Sequence, residues 1–320
     1  MSVVPAAEPI RARRRFGDRF GDLFLYGLTG LAAAAAVALL GLIAYEIFKG
    51  AWPAISKFGL GFVSGTVWDV NRNIFGAAPL IYGTFVTSFG ALLLAGPISI
   101  AIALYLSELA PGGVRGVIGA LVELLAAVPS VVLGLWGILV MGPFVQDHLE
   151  PWLHSSLGFI PLFNGTYSPV GLLPAILILT IMVVPITTSI CRELFLRVPT
   201  ELEEGAFALG STRWEMVRGV VFPYTRSGIA AALILGLGRA IGEAIAVAQV
   251  AGGFGRITAH LFDGGDTLAA RIALQYQGAA TKLQTASIVY LAAILLVISL
   301  VVNLVAQVIV WRFEREHGST

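Results

Sequence analysis

The stretch that decides the fold is VPTELEEGAFALGSTRWEMVRGVVFP, residues 198–223, which lies between two long apolar segments. Gly210 separates two runs in which apolar residues recur at helical spacing. A glycine suits the left-handed backbone conformation that ends many helices. The sequence therefore predicts two short amphipathic helices that meet at Gly210 and lie against a membrane rather than crossing it.

Each of the two runs begins with the spacing of a capping box, in which two side chains satisfy free backbone donors of the first turn. Thr200 is followed by Glu203 in the first run, and Thr212 by Glu215 in the second. We therefore expect both short helices to have capped N-termini.

The composition around this stretch is that of a membrane protein. Of the 320 residues, 57% are hydrophobic and only 12% are charged, whereas soluble proteins have about 25% charged residues. With a net charge of +1, one cysteine and four scattered histidines, the chain offers no pattern for nucleic-acid binding, a disulfide or a metal site. The sequence predicts an all-α membrane protein without a metal or other cofactor of its own.

Six segments are long and apolar enough to cross a bilayer, which takes about 20 residues. An arginine-rich tail precedes the first segment, as in a signal peptide, but the apolar run is too long for one, so we expect an uncleaved span. The predicted spans are Leu23–Phe48, Leu80–Leu106, Val117–Met141, Val170–Ile190, Gly228–Val250 and Ser287–Val310.

The basic residues predict the orientation, because Lys and Arg are retained on the cytoplasmic side. With both termini inside, the tail and the 192–226 loop are cytoplasmic and carry most of the arginines. The predicted organisation is a basic segment 1–22, a first span 23–48, a periplasmic segment 49–79, a five-helix core 80–312 that includes the 192–226 loop, and a cytoplasmic tail 313–320. The segment Gly142–Pro169 is expected to be an external loop.

Arg239 and Glu243 are charged residues inside the predicted fifth span. Charges there cost several kcal/mol and are usually functional. Their i, i+4 spacing predicts that both side chains share one helical face, extended by Ala246 and Gln249. The alternative is an ion pair that only neutralises itself, but such pairs are weak evidence for stability.

The chemistry of this pair favours an oxyanion substrate. The planar donors of Arg239 suit a tetrahedral oxyanion. A carboxylate such as Glu243 can accept a hydrogen bond from phosphate, which keeps a proton at neutral pH, whereas sulfate has none. We therefore expect Arg239 and Glu243 to line a pathway that prefers phosphate.

The 198–223 stretch resembles the EAA loop of type I ABC importer permeases, which reads Glu-Ala-Ala, three residues, Gly, nine residues, Ile-x-Leu-Pro. The matching positions are Glu204, Gly205, Ala206 and Gly210, with departures in side chain at Gly205, Val220 and Phe222. The resemblance implies that this loop docks on a separate ATPase subunit. No G-x-x-x-x-G-K-[ST] pattern occurs in the chain, so we expect the partner, not this permease, to bind ATP-Mg and hydrolyse it.

Other segments resemble the PstC-type permeases of the Pst phosphate-uptake system. They are GLGRAIGEAIAV (Gly236–Val247), ELLAAVPSVVLGLWG (Glu123–Gly137), ALYLSELAPG (Ala103–Gly112) and GTFVTSFGALLLAGPISI (Gly83–Ile100). Ala244 replaces a usual threonine. The resemblance implies an inner-membrane heterodimer with a PstA-type permease, two PstB-type ATPases and a periplasmic PstS-type phosphate-binding protein.

Four alternatives stay open from sequence. The substrate of such a permease could instead be sulfate, molybdate or another oxyanion, and the chain could be the PstA-type sister subunit. A free-standing channel or secondary transporter would leave the EAA-like loop without a role. An intramembrane enzyme is disfavoured, because no G-x-S-x-G motif or paired intramembrane aspartates occur.

Overall fold

A computed structural model describes residues 16–315, with side chains described for residues 21–312. The chain divides into two compact units, the first ending at Lys49 and the second beginning at Gly50. Among the described residues, six helices are long and apolar enough to cross a membrane: Gly21–Phe58, Ala78–Leu109, Ser130–Leu157, Leu172–Phe195, Arg213–Gly242 and Lys282–Arg312. The prediction of six spans in an all-α protein is confirmed, although several boundaries differ.

The first helix, α1, runs from Phe16 to Phe58 and is thus longer than the predicted span. Its apolar side chains between Leu23 and Leu42 are exposed, which suits a helix surrounded by lipid. A one-turn helix α2 (Gly61–Ser64) follows. A two-residue hairpin then pairs β1 (Trp68–Asp69) with β2 (Ile74–Phe75) in antiparallel register.

The core of the second unit is built on α3 (Ala78–Leu109) and α6 (Leu172–Phe195). Small residues bring these helices together, as is usual in membranes. A Cβ at Gly90 would lie 2.8 Å from Cδ1 of Ile176, so any larger residue there would have to displace the Ile176 side chain. The hydroxyl of Ser99 donates to the Val184 carbonyl oxygen across the interface at 3.2 Å.

In the chain, α3 and α6 are separated by two further helices, α4 (Gly112–Ala127) and α5 (Ser130–Leu157). The predicted third span, Val117–Met141, is therefore wrong in its boundaries. Val128 is extended, with ψ 126°, because a residue that precedes proline is driven from the α region. Gly142–Pro169 is also not simply a loop, since α5 continues to Leu157 through two π-helical turns.

The remaining helices are α7 (Thr200–Ala208), α8 (Arg213–Gly242), α9 (Ile245–Val250), α10 (Leu268–Gln275) and α11 (Lys282–Arg315). The prediction that the second amphipathic run forms a separate short helix is wrong, because this run is the first part of α8. The predicted fifth span, Gly228–Val250, is broken after Gly242. We call the end of the bundle that carries α7 the hairpin end, and the opposite end, where α3 begins, the far end.

A buried ion pair lies at the far end. Nε of Arg271 lies 2.6 Å from Oδ2 of Asp266, and these side chains are 10% and 2% exposed. The guanidinium also donates to the Gly253 carbonyl oxygen at 3.1 Å and lies 5.7 Å from the centre of the Trp68 ring. The loop after α9, the start of α10 and the β hairpin are thus fixed to one another through one side chain.

Candidate translocation and coupling sites

A cavity of about 640 Å³ opens between α6, α8 and α11. Arg239 and Glu243 line it together with Asn303 and Ser299 of α11. The remaining lining is aliphatic or glycine. The structure therefore places both sequence-predicted site residues at one cavity, whose polar groups come from α8, the residue that follows it and α11.

Arg239 lies three residues before the end of α8, and its side chain is exposed on the surface of the chain. Within residues 21–312, no carboxylate oxygen lies within 4.0 Å of its guanidinium. The self-neutralising ion pair with Glu243 is therefore wrong for this structure. The guanidinium donors remain available to an anion.

Glu243 does not continue the helix of Arg239, which corrects the prediction that both share one helical face. Its ψ of 119° is extended, and its Oε1 accepts a hydrogen bond from the Ala246 amide at 3.3 Å. The carboxylate thus accepts from one of the first N–H groups of α9, which have no intrahelical partner and favour negative charge.

Ala246 and Gln249 also lie elsewhere than predicted, since α9 turns them toward α5. A Cβ at Gly134 would lie 2.8 Å from Cα of Ala246 and 2.9 Å from Oε1 of Gln249. Gly134 is therefore needed for the close packing of α5 on α9. Both helices begin directly after an extended break, one at Pro129 and one at Glu243, which is the discontinuous-helix arrangement that many transporters place at their substrate sites. Pro129 is the sequence signal for the first break, whereas the second has no comparable local signal.

The hairpin of α7 and the start of α8 has the predicted turn. Gly210 has φ +83°, and the amide of Ser211 donates to the Ala206 carbonyl oxygen at 3.2 Å, which closes a Schellman motif. At the start of α8, Thr212 and Glu215 form the predicted capping box. The predicted box of Thr200 and Glu203 is wrong, because Pro199 occupies the cap position and Thr200 is already helical.

The EAA-like positions are on the surface of this hairpin. Glu204, Gly205 and Gly210 are exposed, and Ala206 is half-buried. A Cβ at Gly205 would meet open space, so this departure from the family pattern is not imposed by packing within the chain. Leu209 is 89% exposed beside them. An apolar and acidic surface of this kind suits a protein partner.

A second cavity, of about 450 Å³, lies where the hairpin meets the end of α3. Nη1 of Arg213 donates to the Glu108 carbonyl oxygen at 3.1 Å and joins the two elements. Burial, together with the nearby charge of Glu108, raises the pKa of Glu203, which lines the same cavity. The hairpin is thus linked directly to the helix that forms the core with α6.

Comparisons with known proteins identify the family of the chain. The family described as "Binding-protein-dependent transport system inner membrane component" matches residues 95–315. The chain is 40% identical over its full length to the full-length phosphate transport system permease protein PstC of Mesorhizobium japonicum. It is 38% identical to the protein of that name from Xylella fastidiosa, with 99% of each chain covered.

Solved structures share the fold. A chain of a bacterial alginate ABC transporter, in complex with an alginate-bound periplasmic protein, matches with a TM-score of 0.59 and 20% identity, covering 93% of this chain and 99% of its own. An inward-facing MetNI methionine ABC transporter chain matches with a TM-score of 0.50 and 18% identity, over 76% of this chain and 95% of its own. The fold is therefore that of an ABC importer permease. The chain belongs to the family of binding-protein-dependent transport system inner membrane components and, within it, to the PstC-type permeases.

Proposed function

We propose that the chain is the permease subunit of an ATP-driven importer of inorganic phosphate and forms half of the translocation pathway by alternating access. The observation that carries this proposal is the cavity in which Arg239 presents unpaired guanidinium donors within a membrane helix. The names of the full-length relatives, all phosphate transport system permeases, point to the same substrate.

Arg239 and Glu243 have different roles in this pathway. The guanidinium of Arg239 binds the oxyanion through planar, charge-assisted hydrogen bonds. The Glu243 carboxylate is held at the break by the Ala246 amide. Its other oxygen is left to accept a hydrogen bond from the protonated oxygen of phosphate. Sulfate has no such proton and would meet only repulsion from the carboxylate.

The exposure of Arg239 on the surface of a single chain supports a shared pathway. A charge facing lipid is costly, so this surface requires a polar partner. We propose that it faces a homologous PstA-type permease, and that a periplasmic PstS-type protein delivers phosphate to the pair. The full complex lies in the bacterial inner membrane, with the hairpin end and both termini in the cytoplasm.

The hairpin is the proposed link to ATP hydrolysis. Its exposed residues Glu204, Gly205, Ala206 and Gly210 dock on a PstB-type ATPase dimer, which binds ATP-Mg. The Schellman turn and the capping box make the hairpin rigid. Movement of the ATPase would therefore reach α3 through the bond between Arg213 and Glu108. This chain itself carries out no covalent step.

Phosphate uptake tests the proposal in cells that lack their own high-affinity system and express the chain with its partner subunits. Arg239→Gln is expected to reduce uptake by about tenfold or more, since one charge-assisted hydrogen bond contributes about 1.5–3 kcal/mol. The matched control is Arg312→Gln, an exposed arginine on α11 away from the cavity. Normal uptake by an assembled Arg239→Gln complex would remove Arg239 from the pathway, and transport of sulfate instead of phosphate would overturn the substrate.

A further inference from the structure

An apolar groove of about 700 Å³ runs along α3 and α8. Its α3 side extends from Phe89 to Leu104, and its α8 side includes Trp214 and Leu233. The groove is open to the surface, since Leu93 within it is 75% exposed. From Phe89 to Leu104 the helix rises about 22 Å, whereas one leaflet of the hydrocarbon core is roughly 15 Å thick. The groove is therefore long enough to hold an extended acyl chain.

This groove lies on a different face of α8 from the Arg239 cavity. Leu233 and Arg239 are six residues apart, which places them about 120° apart around a helix of 3.6 residues per turn. The groove and the Arg239 cavity share no lining residue. The surface that we propose to meet a second permease is thus not the surface that carries the groove.

At the hairpin end, the groove leads into the second cavity, of about 450 Å³, where the hairpin meets α3. Leu104 and Trp214 line both spaces. Beyond them the lining becomes charged, with Glu108, Glu203 and Arg213. Tryptophan is enriched where a membrane meets water, and Trp214 is 63% exposed here. An apolar channel within the membrane thus continues into a polar cavity at the level of the lipid headgroups.

The two carboxylates of this cavity have no counterion among the described side chains. Within residues 21–312, no side-chain nitrogen of Lys, Arg or His lies within 4.0 Å of a carboxylate oxygen of Glu108 or Glu203. Burial, and then the charge of Glu108, raises the pKa of Glu203, so the two carboxylates repel each other. Nη1 of Arg213 contacts the main-chain oxygen of Glu108, not a carboxylate. The cavity therefore offers two anionic groups and one cationic group to a ligand that carries both charges.

We propose that the groove and the cavity together bind one phospholipid with a primary amine in its headgroup, namely phosphatidylethanolamine. An acyl chain fills the groove, the ammonium donates hydrogen bonds to Glu108 and Glu203, and Arg213 binds the phosphate. Phe207 and Trp214 in the cavity wall also favour a cation. An anionic phospholipid would place its net charge beside two carboxylates. The bound lipid joins α3 to the hairpin, whatever substrate the permease carries.

Native mass spectrometry of the delipidated complex with its partner subunits tests this proposal. The complex is titrated separately with phosphatidylethanolamine and with phosphatidylglycerol. The headgroup variants are Glu108→Gln and Glu203→Gln, and their control is Glu201→Gln, at an exposed glutamate of α7 outside the cavity. The acyl-chain variant is Ala101→Trp, which fills the groove, and its control is Ala126→Trp, at an exposed alanine of α4 outside the groove.

The parent complex is expected to bind phosphatidylethanolamine more tightly than phosphatidylglycerol. Each glutamine substitution at Glu108 or Glu203 should weaken phosphatidylethanolamine binding roughly tenfold, because it removes a charge-assisted hydrogen bond, and should not weaken phosphatidylglycerol binding. Ala101→Trp should weaken the binding of both lipids, because it blocks the acyl chain. Both control variants should bind each lipid as the parent does.

Three results would overturn the proposal. They are tighter binding of phosphatidylglycerol by the parent, phosphatidylethanolamine binding that the assembled variants leave unchanged, and no binding of phosphatidylethanolamine at all. The last result would leave the groove to a helix of a partner subunit. If a glutamine variant fails to assemble, the lipid preference of the parent and the comparison of Ala101→Trp with Ala126→Trp decide the question.

Discussion

Arg271→Gln tests how strongly the buried pair with Asp266 holds the far end together. The variant leaves a carboxylate that is 2% exposed, without the cation that lies 2.6 Å away. Removing one partner of a buried pair typically costs about 3–5 kcal/mol. The guanidinium also bonds to Gly253 and lies over Trp68, and the ring contact contributes about 0.5–1 kcal/mol more.

The matched control is Arg72→Gln, in the exposed pair with Asp69. There the Nε–Oδ2 distance is 3.5 Å and the arginine is 80% exposed. The free energy of unfolding should therefore fall by less than about 1 kcal/mol. Denaturant unfolding of the detergent-solubilised chain measures both free energies. If Arg271→Gln destabilises no more than Arg72→Gln does, the reasoning from burial is refuted.

The pH dependence of the same pair gives a second check. Burial raises the pKa of Asp266, while Arg271 and the Thr267 amide oppose that shift. A raised folded pKa means that the folded state binds more protons, so stability from this carboxyl falls as pH rises from about 4 through the folded pKa. Without Arg271 the pKa of Asp266 rises further. The loss of unfolding free energy in Arg271→Gln, relative to the parent, should therefore shrink as the pH is lowered. A deficit that grows at low pH would contradict this sign.

Two further substitutions test the helix contacts at the proposed sites. Gly134→Val places a side chain where a Cβ is already 2.8 Å from Cα of Ala246. Overpacking of about 1–3 kcal/mol should separate α5 from α9 and reduce phosphate uptake several-fold. The control Gly278→Ala, whose Cβ meets open space, should leave uptake unchanged, and equal effects of the two variants would contradict the packing argument. Thr212→Ala removes a capping box and should cost about 1 kcal/mol, seen as faster hydrogen exchange at the start of α8. Thr200→Ala removes no cap and should leave exchange in α7 nearly unchanged.

The sequence predicts which segments cross the membrane but not where each helix breaks. Apolar composition identifies a lipid environment, and it continues across Val128 and Pro129 without change. A proline within an apolar run is compatible with either a kink or a complete break. The restriction on the residue before proline indicates the break, and the extended Val128 bears it out.

The break at Glu243 has a different origin. Glutamate is a good helix former, so the local sequence favours a continuous helix through Arg239 and Glu243. In the structure the carboxylate instead accepts a hydrogen bond from the Ala246 amide in the first turn of α9, while α9 packs on Gly134. That contact joins residues more than a hundred positions apart, and the spacing of residues within one segment carries no information about it.

The hairpin was predicted most accurately, because its signals are local. Gly210 and the Thr212 box act within one or two turns, and both have the expected geometry. The Thr200 box fails for a local reason too, since Pro199 takes the cap position one residue earlier. The role of Glu204, Gly205 and Ala206 depends on a partner and remains a prediction.

The most direct test of the central claim is transport by the purified complex in proteoliposomes, with the binding protein on one side and ATP on the other. The account predicts ATP-dependent accumulation of radiolabelled phosphate that tenfold excess sulfate does not reduce and that Arg239→Gln lowers about tenfold or more. Accumulation of sulfate in place of phosphate, or phosphate accumulation that is unaffected by Arg239→Gln in an assembled complex, would contradict it.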